Sequence, residues 1–195
     1  MYPLAIFTYQ LGTFSETFIR RHIERLLPGR TIVATAIKSD MYGGNWTVDC
    51  PLLILDHARK RRLRHEIGAA VLKTVGFKYV DRVVEGAVRQ FLVRHRAQVV
   101  LLHYLNEWVQ WVPYLKSLGV KVFARAHGYD VSHCLKDPYW RQKYLVYNET
   151  DGLITVSQAS RDRLVDVGLD PEKIHIIPSG VEVSTRPTRV GEDDL

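Results

Sequence analysis

The chain has only two cysteines in 195 residues, Cys50 and Cys134, with neither a CxxC pair nor a paired histidine spacing around them. A disulfide framework and a zinc ribbon are therefore unsupported, and a reducing compartment fits. No window approaches the roughly 18 consecutive apolar residues a spanning helix needs. The opening Met1-Tyr2-Pro3-Leu4 lacks a basic region followed by an apolar one, so a cytoplasmic location is expected. The sequons at Asn45 and Asn148 would matter only after export, and they read as chance matches. Missing too are G-x-G-x-x-G after the first strand, G-x-x-x-x-G-K-[ST] anywhere, and G-x-S-x-G. A dinucleotide fingerprint, a P-loop NTPase and a serine-elbow hydrolase thus have no anchor.

What is present is ordinary globular composition, 46% hydrophobic and 25% charged, which excludes a disordered or fibrous chain. Lys and Arg number 27 against 21 acids, a formal charge of +6. Five of the cations, Arg59, Lys60, Arg61, Arg62 and Arg64, fall between His57 and His65 with no acid among them. The basic balance is thus one local patch. That argues against a nucleic-acid-binding face across the domain, as does the lack of RNP-type aromatic motifs.

Short β-rich runs alternate with helical patterns about six times. Residues 3–9 read as a buried strand, followed by a helix with capping-box spacing at Thr13 and Glu16 and apolar residues at Ile19, Ile23, Leu26 and Leu27. Further strands are expected at 31–37, 52–55, 99–102, 120–126, 153–156 and 174–177. Leu63, Ile67, Ala70 and Val71 form an apolar stripe behind the basic patch, and residues 80–92 carry the clearest helical spacing. Asp137-Pro138 and Ser157 read as helix starts. Strands that are apolar throughout, alternating with helices, predict a doubly wound parallel α/β sheet. Ligands of such sheets sit beyond the carboxyl ends of the strands. The residues to watch are therefore 10–15, His103 to Asn106, His127 to Asp130, Ser157 and Ser179-Gly180.

The Gly12 turn could face an anion at a helix start, although an ordinary capped turn explains the same residues. His127-Gly128-Tyr129-Asp130 places an imidazole and a carboxylate at a strand end, where hydroxyl or phosphate recognition is possible; a structural hydrogen bond is the commoner use. A metal site from His127, His133 and Cys134 matches no common spacing. Trp108, Trp111, Trp140 and Tyr144 could stack on sugars, but at helical spacing they read first as core.

Four segments occur together in order: Ser15-Glu16-Thr17-Phe18-Ile19, His127-Gly128-Tyr129-Asp130, Thr155-Val156-Ser157, and Ile176-Ile177-Pro178-Ser179-Gly180-Val181-Glu182. In that order and spacing the chain resembles the family 4 glycosyltransferases, and most of all the bacterial exopolysaccharide and colanic-acid-type members. The resemblance implies one Rossmann-like half of a two-domain GT-B architecture. It implies retaining transfer, of hexosyltransferase type, from a nucleotide diphosphate sugar to a saccharide or lipid-linked acceptor, with no metal required. By position, Gly12, Thr13 and Ser15 would face the donor diphosphate and His127 would stand close to the reacting sugar. Glu16, His103 and Asp130 would line the acceptor side.

Residues 1–182 would then form the N-terminal acceptor-side domain and 183–195 a polar tail or linker start. The donor-binding domain, which carries the family's Glu pair seven residues apart, would be supplied in cis or by a partner subunit. Glu16 and Glu24 share that spacing but lie in the first helix, so they are not that pair. The chain departs from its close relatives at His22, where they often carry Glu, and in having one glycine in the first turn rather than two. Alone it should not turn over. The alternative is a non-catalytic module that binds nucleotide or carbohydrate, or one subunit of a split transferase. The basic segment at Arg59 to Arg64 opens a predicted helix, where the macrodipole disfavours cations. It suits either solvent or an anionic membrane surface at the inner face of the cell membrane.

Overall fold

Seven strands line up side by side, all parallel, in a computed structural model that describes residues 1–13, 16–38, 46–56 and 76–180. The predicted stripe at 63–71, the basic segment, Ser15 and the tail beyond Gly180 lie outside these residues, as do the side chains of 76–81. The strands are β1 (Leu4–Leu11), β2 (Thr31–Lys38), β3 (Leu52–Ile54), β4 (Val99–His103), β5 (Lys121–Arg125), β6 (Gly152–Thr155) and β7 (Ile174–Ile176). Their spatial order is β3-β2-β1-β4-β5-β6-β7. The order reverses at β1, which pairs with β2 on one side and with β4 on the other, for example Phe7 with Ala34 and with Leu102. The doubly wound expectation holds, and the reversal marks where a ligand crevice belongs.

Period-two alternation explains why β1 is central. Ala5 and Phe7 face one core, with Val88 and Leu92 of α2 (Gly76–His95), whereas Leu4 and Ile6 face a second, with Ile19 and Ile23 of α1 (Thr17–Arg25). Each large apolar side chain so enclosed contributes roughly 1.5–3 kcal/mol, before the entropy of ordering the chain is subtracted. A β1 buried on both faces must be apolar throughout, which is what residues 4–7 show.

The remaining helices are short. Residues 105–117 form two pieces, α3 (Leu105–Trp108) and α4 (Val112–Ser117), rather than the single helix the aromatic spacing predicts. Next come α5 (Gly128–Ser132), α6 (Pro138–Tyr144) and α7 (Gln158–Asp166). Two predicted caps are present: Asp137 accepts from the Tyr139 amide at 2.9 Å and Ser157 from the Ser160 amide at 3.2 Å. The capping box at Thr13 and Glu16 is not. Glu16 precedes α1 with φ −98° and makes no side-chain cap. Its carboxylate turns to a partner from another strand instead.

Candidate functional site: an imidazole row at the sheet reversal

Three histidines from three elements meet at the carboxyl ends of β1, β4 and β5. His22 comes from α1, His103 ends β4, and His127 precedes α5. His22 Nδ1 lies 3.2 Å from His103 Nε2, and His103 Nδ1 lies 3.1 Å from His127 Nε2. The rings lie nearly parallel, 25° and 23° apart. Phe18, 4.7 Å away by ring centroids, and Tyr104, 4.5 Å away, pack against the His127 ring.

The chemistry of this row follows from burial. His103 is fully enclosed, and burial holds it well below its ordinary pKa, helped by His127, His22 and Arg125. Burial first and Arg125 second bring His22 down to about 4. Burial, then Arg125, then His22 bring His127 down to about 3. All three rings are neutral at neutral pH. A neutral imidazole has one donor nitrogen and one acceptor, so such a row runs in a single direction. The direction is set at His127, whose side chain and Asp130 form a reciprocal capping box across the start of α5. An imidazole nitrogen that accepts the Asp130 amide leaves Nε2–H to donate to His103, which in turn donates to His22. The nitrogens point at one another, not at a common centre. Accordingly, no three His, Cys, Asp or Glu side chains among the described residues are grouped to hold a metal ion.

Beside the row, Gly12 is buried at φ +98°, a left-handed conformation that favours glycine. The Tyr104 hydroxyl donates to Glu16 Oε1 at 2.9 Å, while Glu16 Oε2 is buried without a partner among the described residues. Burial raises the Glu16 carboxyl, against the Tyr104 and Thr13 hydroxyls that favour its charge. Tyr104 itself sits at φ 71°. A bulky residue there costs on the order of 1–3 kcal/mol and persists only where its surroundings hold it. Arg125, at the end of β5, is 3% exposed and donates from Nη2 to the Ile177 carbonyl at 3.1 Å and to Ser179 Oγ at 3.0 Å.

The sequence-derived candidates separate on this geometry. Glu16, His103 and His127 come together around Tyr104, and Gly12 and Thr13 follow the carboxyl end of β1. Ser15 and the basic residues Arg59, Lys60, Arg61, Arg62 and Arg64 lie outside the described residues. His103 and Asp130, expected to line an acceptor surface, are both 0% exposed. Asp130 spends Oδ2 on the Leu105 amide at 2.8 Å and Oδ1 on the His127 amide at 2.7 Å. Both therefore stand behind the wall, and what they do is hold His127 and the start of α3 in place. His133 is exposed and stacks on Tyr129, while Cys134 is buried, so the metal grouping with His127 does not form. Trp108 and Tyr144 are core, enclosed to within 1%. Two residues of the site lay beyond the sequence argument, Arg125 and His22, the latter standing out only as a departure in the first helix; Tyr104 fell within the watched stretch His103 to Asn106 without a role of its own. Their common signal is position, a strand end or the helix facing one.

The model of Glycosyltransferase Family 4 matches residues 49–185, well over half of the chain. The match begins after β2, so Gly12, Glu16 and His22 precede it and His103, Arg125 and His127 fall inside it. Among solved structures, HepE of Anabaena in complex with UDP and glucose is 13% identical with a TM-score of 0.65, over 93% of this chain and 45% of that one. The lipopolysaccharide outer core galactosyltransferase WaaB is 12% identical with a TM-score of 0.61, over 93% and 47%. A UDP-N-acetylglucosamine 2-epimerase from Rickettsia bellii is 16% identical with a TM-score of 0.53, over 90% and 45%. At these identities the likeness is one of fold, and the chain spans a little under half the length of each. A search among curated protein sequences found no significant match. The doubly wound sheet, the residues gathered at its reversal and the matched segment agree: the chain belongs to glycosyltransferase family 4.

Proposed function

We propose that the chain is the acceptor-side domain of a retaining glycosyltransferase that moves a hexose from a nucleotide diphosphate sugar to a saccharide or lipid-linked acceptor. In such a transfer the bond from the anomeric carbon to the diphosphate breaks, and an acceptor oxygen bonds the same face of the sugar. The observation that carries this reading is His127, half-buried and held by His103, Phe18, Tyr104 and Asp130 at the sheet reversal of a family 4 chain. Fold alone would not carry it, since an epimerase shares the fold.

On this reading Gly12, Thr13 and Ser15 face the diphosphate, and His127 stands beside the reacting sugar as a neutral ring. A histidine with pKa about 3 is no proton donor at neutral pH, so its part is shape and contact. Glu16 Oε2, buried and unpartnered, is the acceptor-side atom best placed to take a sugar hydroxyl. The reading assigns no metal or other cofactor. It places the basic segment at Arg59 to Arg64 against an anionic membrane surface on the cytoplasmic side, where lipid-linked acceptors would be met. A donor-binding domain completes the cleft, in cis or from a partner subunit.

The test is consumption of a panel of UDP- and GDP-sugars by the protein together with its donor-binding half, with product anomers read by NMR. Retention is expected, and His127→Ala should lower turnover by about a hundredfold, the scale of losing one group aimed at the reacting centre. Inverted product, or an undiminished His127→Ala, would overturn the reading. A second reading, a non-catalytic module, draws on the chain's spanning under half of its structural neighbours. It predicts calorimetric binding of nucleotide or glycan with no donor consumed in any pairing.

A further inference from the structure

Arg125 carries a full charge at 3% exposure, and no carboxylate among the described residues pairs with it. Burying a guanidinium without a counter-ion costs several kcal/mol even after relaxation, so an apolar residue of like size would be the cheaper filling for the end of a strand. What the guanidinium does instead is hold backbone. Its Nη2 is shared between the Ile177 carbonyl and Ser179 Oγ, and its Nε has no partner among the described residues.

The two groups it holds belong to the segment that follows β7. That segment turns back over the carboxyl ends of the strands. The Ile177 amide donates to the Thr155 carbonyl of β6 at 2.8 Å, Arg125 of β5 takes Ile177 and Ser179, and Arg21 Nη1 of α1 donates to the Gly180 carbonyl at 2.8 Å. Three of the four residues are thus tied in turn to β6, β5 and α1, and two of the ties are guanidinium to carbonyl. The same Arg125 charge faces the imidazole row. The other ionisable groups around that row are Glu16 ahead of α1, Tyr104 after β4 and Asp130 in α5.

We propose that Arg125 is a positioning residue that moors the Ile177–Gly180 segment beside His127, so that one side chain sets both the path of the departing chain and the surroundings of the histidine row. The inference rests on the functional reading above for its relevance to transfer. Its geometry asks nothing of a donor or acceptor. Displacing the Ile177–Gly180 segment breaks the Nη2 bonds and frees the Arg125 charge that faces His22, His103 and His127. The planar fork is what allows one head group to hold a carbonyl and a hydroxyl while keeping its charge fixed; a lysine ammonium cannot reproduce that geometry.

The test uses two readouts that need no substrate. Histidine ring titration is followed by NMR with selectively labelled imidazoles, and amide exchange is followed at Ser179 and Gly180. In Arg125→Gln the titration midpoint of His127 should rise by about one unit as the neighbouring cation is lost, with exchange at Ser179 and Gly180 about tenfold faster. Arg125→Lys, which keeps the charge and loses the fork, should speed exchange while moving the midpoint less than Arg125→Gln does. Ser179→Ala, which touches neither charge nor core, should speed exchange and leave the histidines where they were.

Parent-like exchange in both Arg125→Lys and Ser179→Ala would overturn the mooring even if Arg125→Gln does not fold. An unmoved His127 midpoint in a folded Arg125→Gln would overturn the link to the row. Should these hold while no donor is consumed in any pairing, the mooring stands and the transferase reading falls.

Discussion

Two buried polar centres, far apart in the chain, lie close together in the fold, and they are satisfied in opposite ways. Asp130 is enclosed with both carboxylate oxygens on backbone amides, those of Leu105 and His127. His103, equally enclosed, has for partners two side chains of its own kind. Backbone amides can serve a carboxylate whether it is charged or protonated. Imidazoles can serve one another only while each keeps one bare nitrogen. The first arrangement tolerates a change of protonation state; the second forbids it. Neutrality of the row is therefore a condition of the packing, one that the Arg125 charge enforces from the side.

The largest effect should come from breaking the carboxylate centre. Asp130→Ala strands the buried amides of Leu105 and His127, at about 1–3 kcal/mol for each group left unpaired. We expect a loss of about 2–5 kcal/mol in urea unfolding, with Asp130→Asn, which keeps one carbonyl oxygen, losing clearly less. Breaking the row should cost less. His103→Leu fills similar space without a polar atom, and the neighbours it leaves, His22 and His127, are each half-buried and can turn to solvent. A loss of about 1–2 kcal/mol is expected in the same measurement, smaller than that of Asp130→Ala. The reverse order would show that the imidazole contacts, not the amide contacts, hold this edge together.

The smallest and most diagnostic effect is in pH. Unfolded histidines take up protons near 6.5, while His22 and His127 in the fold resist down to about 4 and about 3. The unfolded state therefore binds more protons as pH falls below 6.5, and stability declines from there through the folded values. Asp130 works the other way. Burial raises it to about 7 against its amide partners, so what it adds is present at low pH and is lost as pH rises through about 7. Thermal midpoints taken from pH 4 to 9 should fall on the acid side for the parent and flatten there in His103→Leu. In Asp130→Asn the opposing decline between about pH 4 and about pH 7 should disappear, so the fall on the acid side steepens.

Periodicity made the framework legible. The apolar run of β1, the continuous strand before His103 and the helix over 80–92 were each marked by local pattern, and the rule that ligands sit beyond strand ends picked out Gly12, His103 and His127. What failed were local readings that a distant contact displaced. Thr13 and Glu16 have the spacing of a capping box, yet the Glu16 carboxylate goes to Tyr104, 88 residues away. Asp130 read as a group offered to a ligand, whereas the short helix α5 and the start of α3 both needed an acceptor. His22 and His103 are 81 residues apart and His103 and His127 are 24 apart, so no window of sequence contains the row. Arg125 drew no reading from the sequence, since its partners, Ile177 and Ser179, lie 52 and 54 residues further along the chain.

The two outermost strands, β3 and β7, are three residues each, while β2 and β1, next in from β3, run to eight. A sheet that tapers in this way presents little unpaired backbone at its rims. A passing extended chain that met Leu52 or Ile176, both partly exposed, would find only a few amides and carbonyls to pair with before the strand ended. Seven parallel strands would otherwise be a template for edge-to-edge growth, and the short rims let the domain expose apolar side chains there without inviting aggregation.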